Sequence, residues 1–145
     1  MSDIRQLYQR IIVDHANHPH HYGELQSANF TKTYRNPDCG DTITVFATIV
    51  DNQITDISFT GNGCIISQAS ASMLTDLLIG QPIDVADDTI RNFQYLIMGQ
   101  PVNDSELGDS VAFSTLSEFP TRVRCGALAW HTMAAILNDW RAANG

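Results

Sequence analysis

Three cysteines spread along the chain, Cys39, Cys64 and Cys125, constrain its fold more than any other feature. Three thiols cannot all pair within one chain, and in a reducing compartment they serve metals or reactivity more often than disulfides. The first stands in Asn36-Pro37-Asp38-Cys39-Gly40-Asp41. Pro37 fixes its own φ and biases Asn36 toward extended backbone, while Gly40 lets the chain turn sharply after the thiol. Cys39 and Asp41 therefore leave one tight bend, an arrangement hard to bury and natural for two ligands of one cation. Cys64 closes Gly61-Asn62-Gly63-Cys64, and Cys125 follows Arg124, each near the start of an expected helix. Burial of all three as ordinary core residues is the competing reading, since unpaired cysteine is among the most buried types. The Asn-Pro and Gly-Asn-Gly settings weigh against it.

The rest of the chain reads as sheet first and helices after. Ile4, Leu7, Tyr8, Ile11 and Ile12 recur at helical spacing and predict a helix over 3–16, capped by Ser2 or Asp3 and ended before Pro19. Four of the five histidines follow in His15-Ala16-Asn17-His18-Pro19-His20-His21. They fit either a second metal site or a solvated helix end, where imidazoles favour the negative pole of the dipole. Pro19 breaks i, i+4 ligand spacing and favours the solvated end. Alternation predicts strands over 30–35, 43–50 and 54–60, the last two joined through Asp51-Asn52. Helices are expected over 65–79, 86–98 and from Pro120 onward, with a short one over 109–117. The expected fold class is α+β: a three-stranded antiparallel sheet with helices packed against it, in one domain spanning 1–145.

Charge narrows the partners. Sixteen acids against eight bases leave a net charge of −8, with Lys32 the single lysine. No basic stripe tracks a phosphate backbone, so nucleic acid is not expected as a partner, nor is an anionic membrane. The opening residues lack a signal-peptide core, and no run approaches about 18 apolar residues. A cytoplasmic protein is expected.

Three thiolates and a carboxylate, Cys39, Asp41, Cys64 and Cys125, suit tetrahedral Zn²⁺, and the same soft donors suit an iron–sulfur cluster. Four negative ligands exceed the charge of one Zn²⁺. Arg124, the helix dipoles and loop amides are available to offset the excess. There is no His-Glu-x-x-His, no Pro-Cys-x-x-Cys with an upstream His-x-Glu, and no paired-cysteine knuckle. Reactive thiols are favoured over a hydrolytic or purely structural site.

Asn36-Pro37-x-Cys39-Gly40-Asp41, Gly61-x-Gly63-Cys64-x-Ile66-Ser67-x-Ala69-Ser70 and Arg122-x-Arg124-Cys125 together resemble the IscU/NifU-N-terminal family of iron–sulfur cluster assembly proteins. Asp14-His15, Pro19 and Gly23 extend the resemblance over nearly the whole chain. Arg124 stands where the scaffold branch carries histidine, and a longer segment, roughly 97–117, separates Cys64 from Cys125. With Ala112-Phe113-Ser114 and the run from Phe119-Pro120 to Ala129-Trp130, these departures resemble the SufU-type branch. The resemblance implies zinc on Cys39, Asp41, Cys64 and Cys125, a cysteine desulfurase as partner, and downstream iron–sulfur assembly proteins. The expected activity is that of a zinc-gated sulfurtransferase. A thiolate takes sulfur from the desulfurase's persulfide, as in thiol–disulfide exchange. Cys39 is the expected acceptor, because a glycine-flanked loop moves more readily than a helix start, with Cys125 the alternative and Asp41 the gating ligand. An iron–sulfur cluster scaffold and an inert zinc-stabilised interaction module are the rival readings.

Overall fold

The computed structural model describes residues 2–37 and 40–144, with side chains described from residue 4 onward. Helix α1, Ser2–Asn17, leads through a histidine-rich loop to strands β1, Phe30–Arg35, β2, Thr42–Val50, and β3, Gln53–Asn62. The strands form an antiparallel meander in the order β1-β2-β3, with Phe30 opposite Ala47 and Thr42 opposite Asn62. The β2–β3 turn is the one expected, because Asp51 and Asn52 take φ of 52° and 65°, values that short polar side chains tolerate. Ile43, Val45, Ala47 and Ile49 of β2 are buried on one face, which matches their alternation in sequence.

Helices α2, Ile65–Leu78, α3, Ile83–Ile97, and α4, Pro120–Asn144, complete the domain. α2 and α4 lie against the sheet, and α1 packs along α2. α3 starts before the predicted position 86, because Pro82 supplies a helix-compatible φ of −61° at the cap and Ile83 is buried. The expected short helix over 109–117 is a correction. The structure has three 3-10 turns instead, Asp104–Glu106, Gly108–Phe113 and Leu116–Glu118. Leu107, Ser110, Phe113 and Leu116 are all buried, and their spacing of three matches the 3-10 repeat. A 3.6-residue turn would spread them round the helix.

α1 is covered less than its apolar stripe suggests. Ile4 and Leu7 remain 53% and 50% exposed, and Ile11 and Ile12 are only partly buried. α2 is the opposite case. Ile66, Ser67 and Ala69 through Thr75 are all buried, so this helix is enclosed on nearly every side. Its small residues let neighbours approach, and its hydroxyls must then find partners. The Ser70 hydroxyl donates to the carbonyl of Gly126 at 2.6 Å and accepts from the Trp130 indole N–H at 2.9 Å. Trp130 stacks on Phe93, with centroids 4.1 Å apart, and Phe93 meets Phe113 edge-on.

Ser70→Ala removes both bonds while leaving the indole N–H buried. The expected loss is about 1–3 kcal/mol, the usual cost of an orphaned buried donor. Urea unfolding monitored by Trp fluorescence should show a lower midpoint with an unchanged slope.

Candidate metal centre

The first donor comes from the loop between β1 and β2. Gly40 takes φ of +75°, and its N–H donates to the Asn36 carbonyl at 2.8 Å. The Asn36 N–H in turn donates to the Asp41 carbonyl at 2.8 Å. These two bonds close the loop at its base and hold Asp41, only 6% exposed, at the head of β2. Cys39, the expected acceptor and fourth ligand, lies outside the described residues.

The second donor stands where β3 passes into α2. Gly61, with φ of +154°, lies so close to β2 that an added Cβ would meet the Thr42 carbonyl oxygen at 2.1 Å. Gly63 has no room for a side chain either. A Cβ there would lie 2.2 Å from Ser67 Oγ and 3.2 Å from Asp41 Cγ. The close backbone approach expected of the two glycines is therefore present at both. Cys64 follows as the exposed N-cap of α2, with its Sγ 3.8 Å from Ser67 Oγ. The Ser67 hydroxyl donates back to the Cys64 carbonyl at 3.1 Å. Cys125 supplies the third donor from the second turn of α4, where it is 5% exposed.

One carboxylate oxygen of Asp41 and the sulfurs of Cys64 and Cys125 all lie within 4.8 Å of one another. Two thiols and a carboxylate converging from three elements offer the donor chemistry of a zinc or iron–sulfur ligand set. The glycine at 63 leaves space for them to meet. Arg122 and Arg124 both precede Cys125 on α4. Arg124 lines a cleft with Asn36 and Pro37, and Arg122 lines another with Cys64.

The solvated helix end expected at His15–His21 holds for His18, His20 and His21, which are exposed, but not for His15. His15 is buried, with Nδ1 2.8 Å from the Ser72 hydroxyl and Nε2 2.9 Å from Asp109 Oδ2. The His20 backbone N–H also donates to Ser72 Oγ, and His20 Nδ1 lies 2.5 Å from Asp76 Oδ2. His21 Nδ1 is 2.9 Å from the Thr75 hydroxyl. Pro19 does break helical spacing, but the turn beside it brings His15 and His20 together, their ring centroids 4.5 Å apart. The partners come from α2 and the 3-10 segment, so nothing within 15–21 announced them. Among the described residues, ligand atoms of His15, His20 and Asp76 form a second close group, in which both ring nitrogens of His15 and Nδ1 of His20 already have hydrogen-bond partners.

Sequence reasoning passed over Ser67 as a neighbour of Cys64 and Gly63. Its position three residues after the N-cap, where capping side chains act, was the available signal.

A domain in which a loop and two helices bring two thiols beside one carboxylate has the donor chemistry found in proteins that hold zinc or an iron–sulfur cluster. The chain is a member of the NifU-like N terminal domain family, which matches residues 7–143. It is 35% identical over 145 residues to the iron-sulfur cluster assembly scaffold protein IscU of Streptococcus pyogenes serotype M1, covering 99% of this chain and 89% of that protein. It is 34% identical to the zinc-dependent sulfurtransferase SufU of Bacillus subtilis, covering 91% and 90% of the two chains. A crystal structure of a putative iron-sulfur cluster assembly scaffold protein for the SUF system from Fervidobacterium islandicum superposes with a TM-score of 0.85 at 28% identity, over 91% of this chain and 97% of that one.

Gly63→Ala should weaken metal binding about tenfold or more, because the new methyl displaces Ser67 Oγ or the Asp41 carboxylate. Competition against a chromophoric zinc chelator measures this. Ser67→Ala in the same chain removes the 2.2 Å conflict and should restore part of the loss.

Proposed function

We propose that the chain acts in iron–sulfur cluster biogenesis as a zinc-dependent sulfurtransferase, accepting sulfur from a cysteine desulfurase and passing it to downstream assembly proteins. The observation that carries this reading is the convergence of Asp41, Cys64 and Cys125 within 4.8 Å. Cys39, two residues from Asp41, is the fourth ligand. Zinc held by Cys39, Asp41, Cys64 and Cys125 would keep the thiols deprotonated at neutral pH and subdue them as nucleophiles.

The transfer is a thiol–disulfide exchange at the chain's own cysteine. The Cys39 thiolate attacks the outer sulfur of the desulfurase's persulfide. A new S–S bond forms on Cys39, the partner's S–S bond breaks, and the partner's cysteine leaves as a thiolate. The proton stays on the terminal sulfur, and no external oxidant enters. Burial of Cys125 within α4 supports Cys39 over Cys125 as acceptor, because the attacking sulfur must reach a partner's persulfide. Asp41 is the single hard donor among soft ones, and its role is gating. The cleft lined by Ile12, Val13, Ile65 and Arg122 beside Cys64 gives a partner apolar surface next to the thiols. No described helix is long and apolar enough to cross a membrane.

A second reading is favoured by similarity to proteins known as iron-sulfur cluster assembly scaffold proteins IscU, among them those of Streptococcus pyogenes and Thermotoga maritima. In that reading the same donors carry a cluster built on the protein and handed to targets. Anaerobic reconstitution that yields a stable, transferable cluster would establish it.

Zinc should bind one per chain, with an apparent free energy on the order of 10–16 kcal/mol at neutral pH. Cys64→Ala should abolish stoichiometric zinc in elemental analysis, and unchanged content would remove Cys64 from the site.

Incubation with an active desulfurase and cysteine should place one sulfur on Cys39, read by alkylation and mass mapping. Cys39→Ser should lose acceptance, and Asp41→Ala should keep altered zinc yet accept sulfur slowly. Persulfide found first on Cys125, or wild-type transfer in Asp41→Ala, would overturn those two assignments.

A further inference from the structure

A second cleft, of ≈ 490 Å³, shares no lining residue with the apolar groove. One wall is the end of β1, with Tyr34 and Arg35, continuing into Asn36 and Pro37. The other is a stripe of α4, where Arg124, Leu128, His131 and Ala135 recur at spacings of four, three and four and so share one face. No acidic side chain is among its described lining residues.

That is unexpected in a chain with twice as many acids as bases. Four of the bases outside the cleft form ion pairs with acids. Arg5 pairs with Glu118, Lys32 with Asp139, Arg91 with Asp88 and Arg141 with Asp87. Arg35 takes part in none of these pairs. The guanidinium groups of Arg35 and Arg124, an imidazole and a phenol line one concavity that also has apolar surface at Leu128 and Ala135. Guanidinium forks match carboxylates, and the apolar surface suits a short aliphatic body. The volume is that of a small-molecule site, about 300–1,000 Å³. Its position is equally specific. Pro37 lies two residues before Cys39, and Arg124 directly precedes Cys125.

We propose that this cleft binds small carboxylate-bearing thiols and presents them to the sulfur carried by the adjacent centre. Binding rests on the cleft alone, and the transfer rests on the sulfur-acceptor function proposed above. The ligand's thiolate attacks the terminal sulfur of the protein's persulfide. A bond forms between the ligand sulfur and that terminal sulfur, the bond to the protein's Sγ breaks, and the cysteine leaves as a thiolate. The proton remains on the terminal sulfur, so the products are a ligand persulfide and the restored cysteine, with no oxidant or reductant consumed.

Two measurements test it. In the first, binding of methylthiosuccinate, which cannot accept sulfur, is followed by NMR shifts of the full chain. The shifts should map to Arg35 and His131 and weaken as salt is raised. Arg35→Glu should weaken binding about tenfold or more, the scale of one charge-assisted contact, whereas Arg91→Gln on α3 should not. Shifts elsewhere, or equal binding by Arg35→Glu, overturn the cleft.

In the second, protein loaded by a desulfurase is mixed with mercaptosuccinate or with neutral 2-mercaptoethanol at matched thiolate concentrations. Transfer to mercaptosuccinate should saturate, be inhibited by succinate and lose saturation in Arg35→Glu. Equal, unsaturated transfer to both thiols overturns the presenting role. If neither thiol draws sulfur, the sulfur-transfer reading fails, and the binding measurement still decides the cleft.

Discussion

A helix made of small residues can be enclosed by its neighbours only if every hydroxyl it buries finds a partner, and α2 meets that condition along its whole length. Ser67 turns back to the Cys64 carbonyl, Ser70 joins Gly126 to Trp130, and Ser72 takes His15 and His20. Thr75 takes His21. An unpartnered hydroxyl in such a place costs about 1–3 kcal/mol, comparable with a fair part of a domain's stability. The same bonds therefore attach α1, α4 and the histidine loop to one axis. Because Cys64 caps that axis and Cys125 lies on α4, the pairing of α2 with α4 also sets where two of the donors meet.

The meeting point is shaped by absence of side chains as much as by their presence. Gly61 brings β3 hard against β2 at Thr42, and Gly63 leaves the gap into which Asp41 and Ser67 project. Any larger residue at 63 would occupy the volume the donors share. The site is thus a consequence of backbone approach at a sheet edge, reinforced by the Asn36–Asp41 and Gly40–Asn36 bonds that close the preceding loop.

Around this centre the surface divides by chemistry. On one side Ile12, Val13 and Ile65 leave apolar surface exposed or half-exposed, which suits a protein partner. On the other, Arg35, Arg124 and His131 concentrate positive and hydrogen-bonding groups in an otherwise acidic chain.

Local rules carried much of this into view before any fold was known. Period-two alternation marked Ile43 to Val50, Asp51-Asn52 announced its own left-handed turn, and Pro120 marked the start of α4. Those signals act within one turn or one strand, so side-chain spacing alone carries them. The candidate donor types were legible for the same reason, since Asn-Pro-x-Cys-Gly-Asp sets a thiol and a carboxylate two residues apart. What spacing cannot carry is proximity between residues dozens of positions apart. That Asp41, Cys64 and Cys125 share one point, that His15 is buried against Ser72 and Asp109, and that Arg35 faces His131 were all decided by packing. The 3-10 segment shows the same limit. Its residues are weakly helical by themselves, and burial of every third side chain against the core selected the tighter turn. Sequence determined the elements and the chemistry they bear. Tertiary structure alone decided which of those chemistries meet, because only burial of the shared core fixes distances between segments that do not otherwise interact.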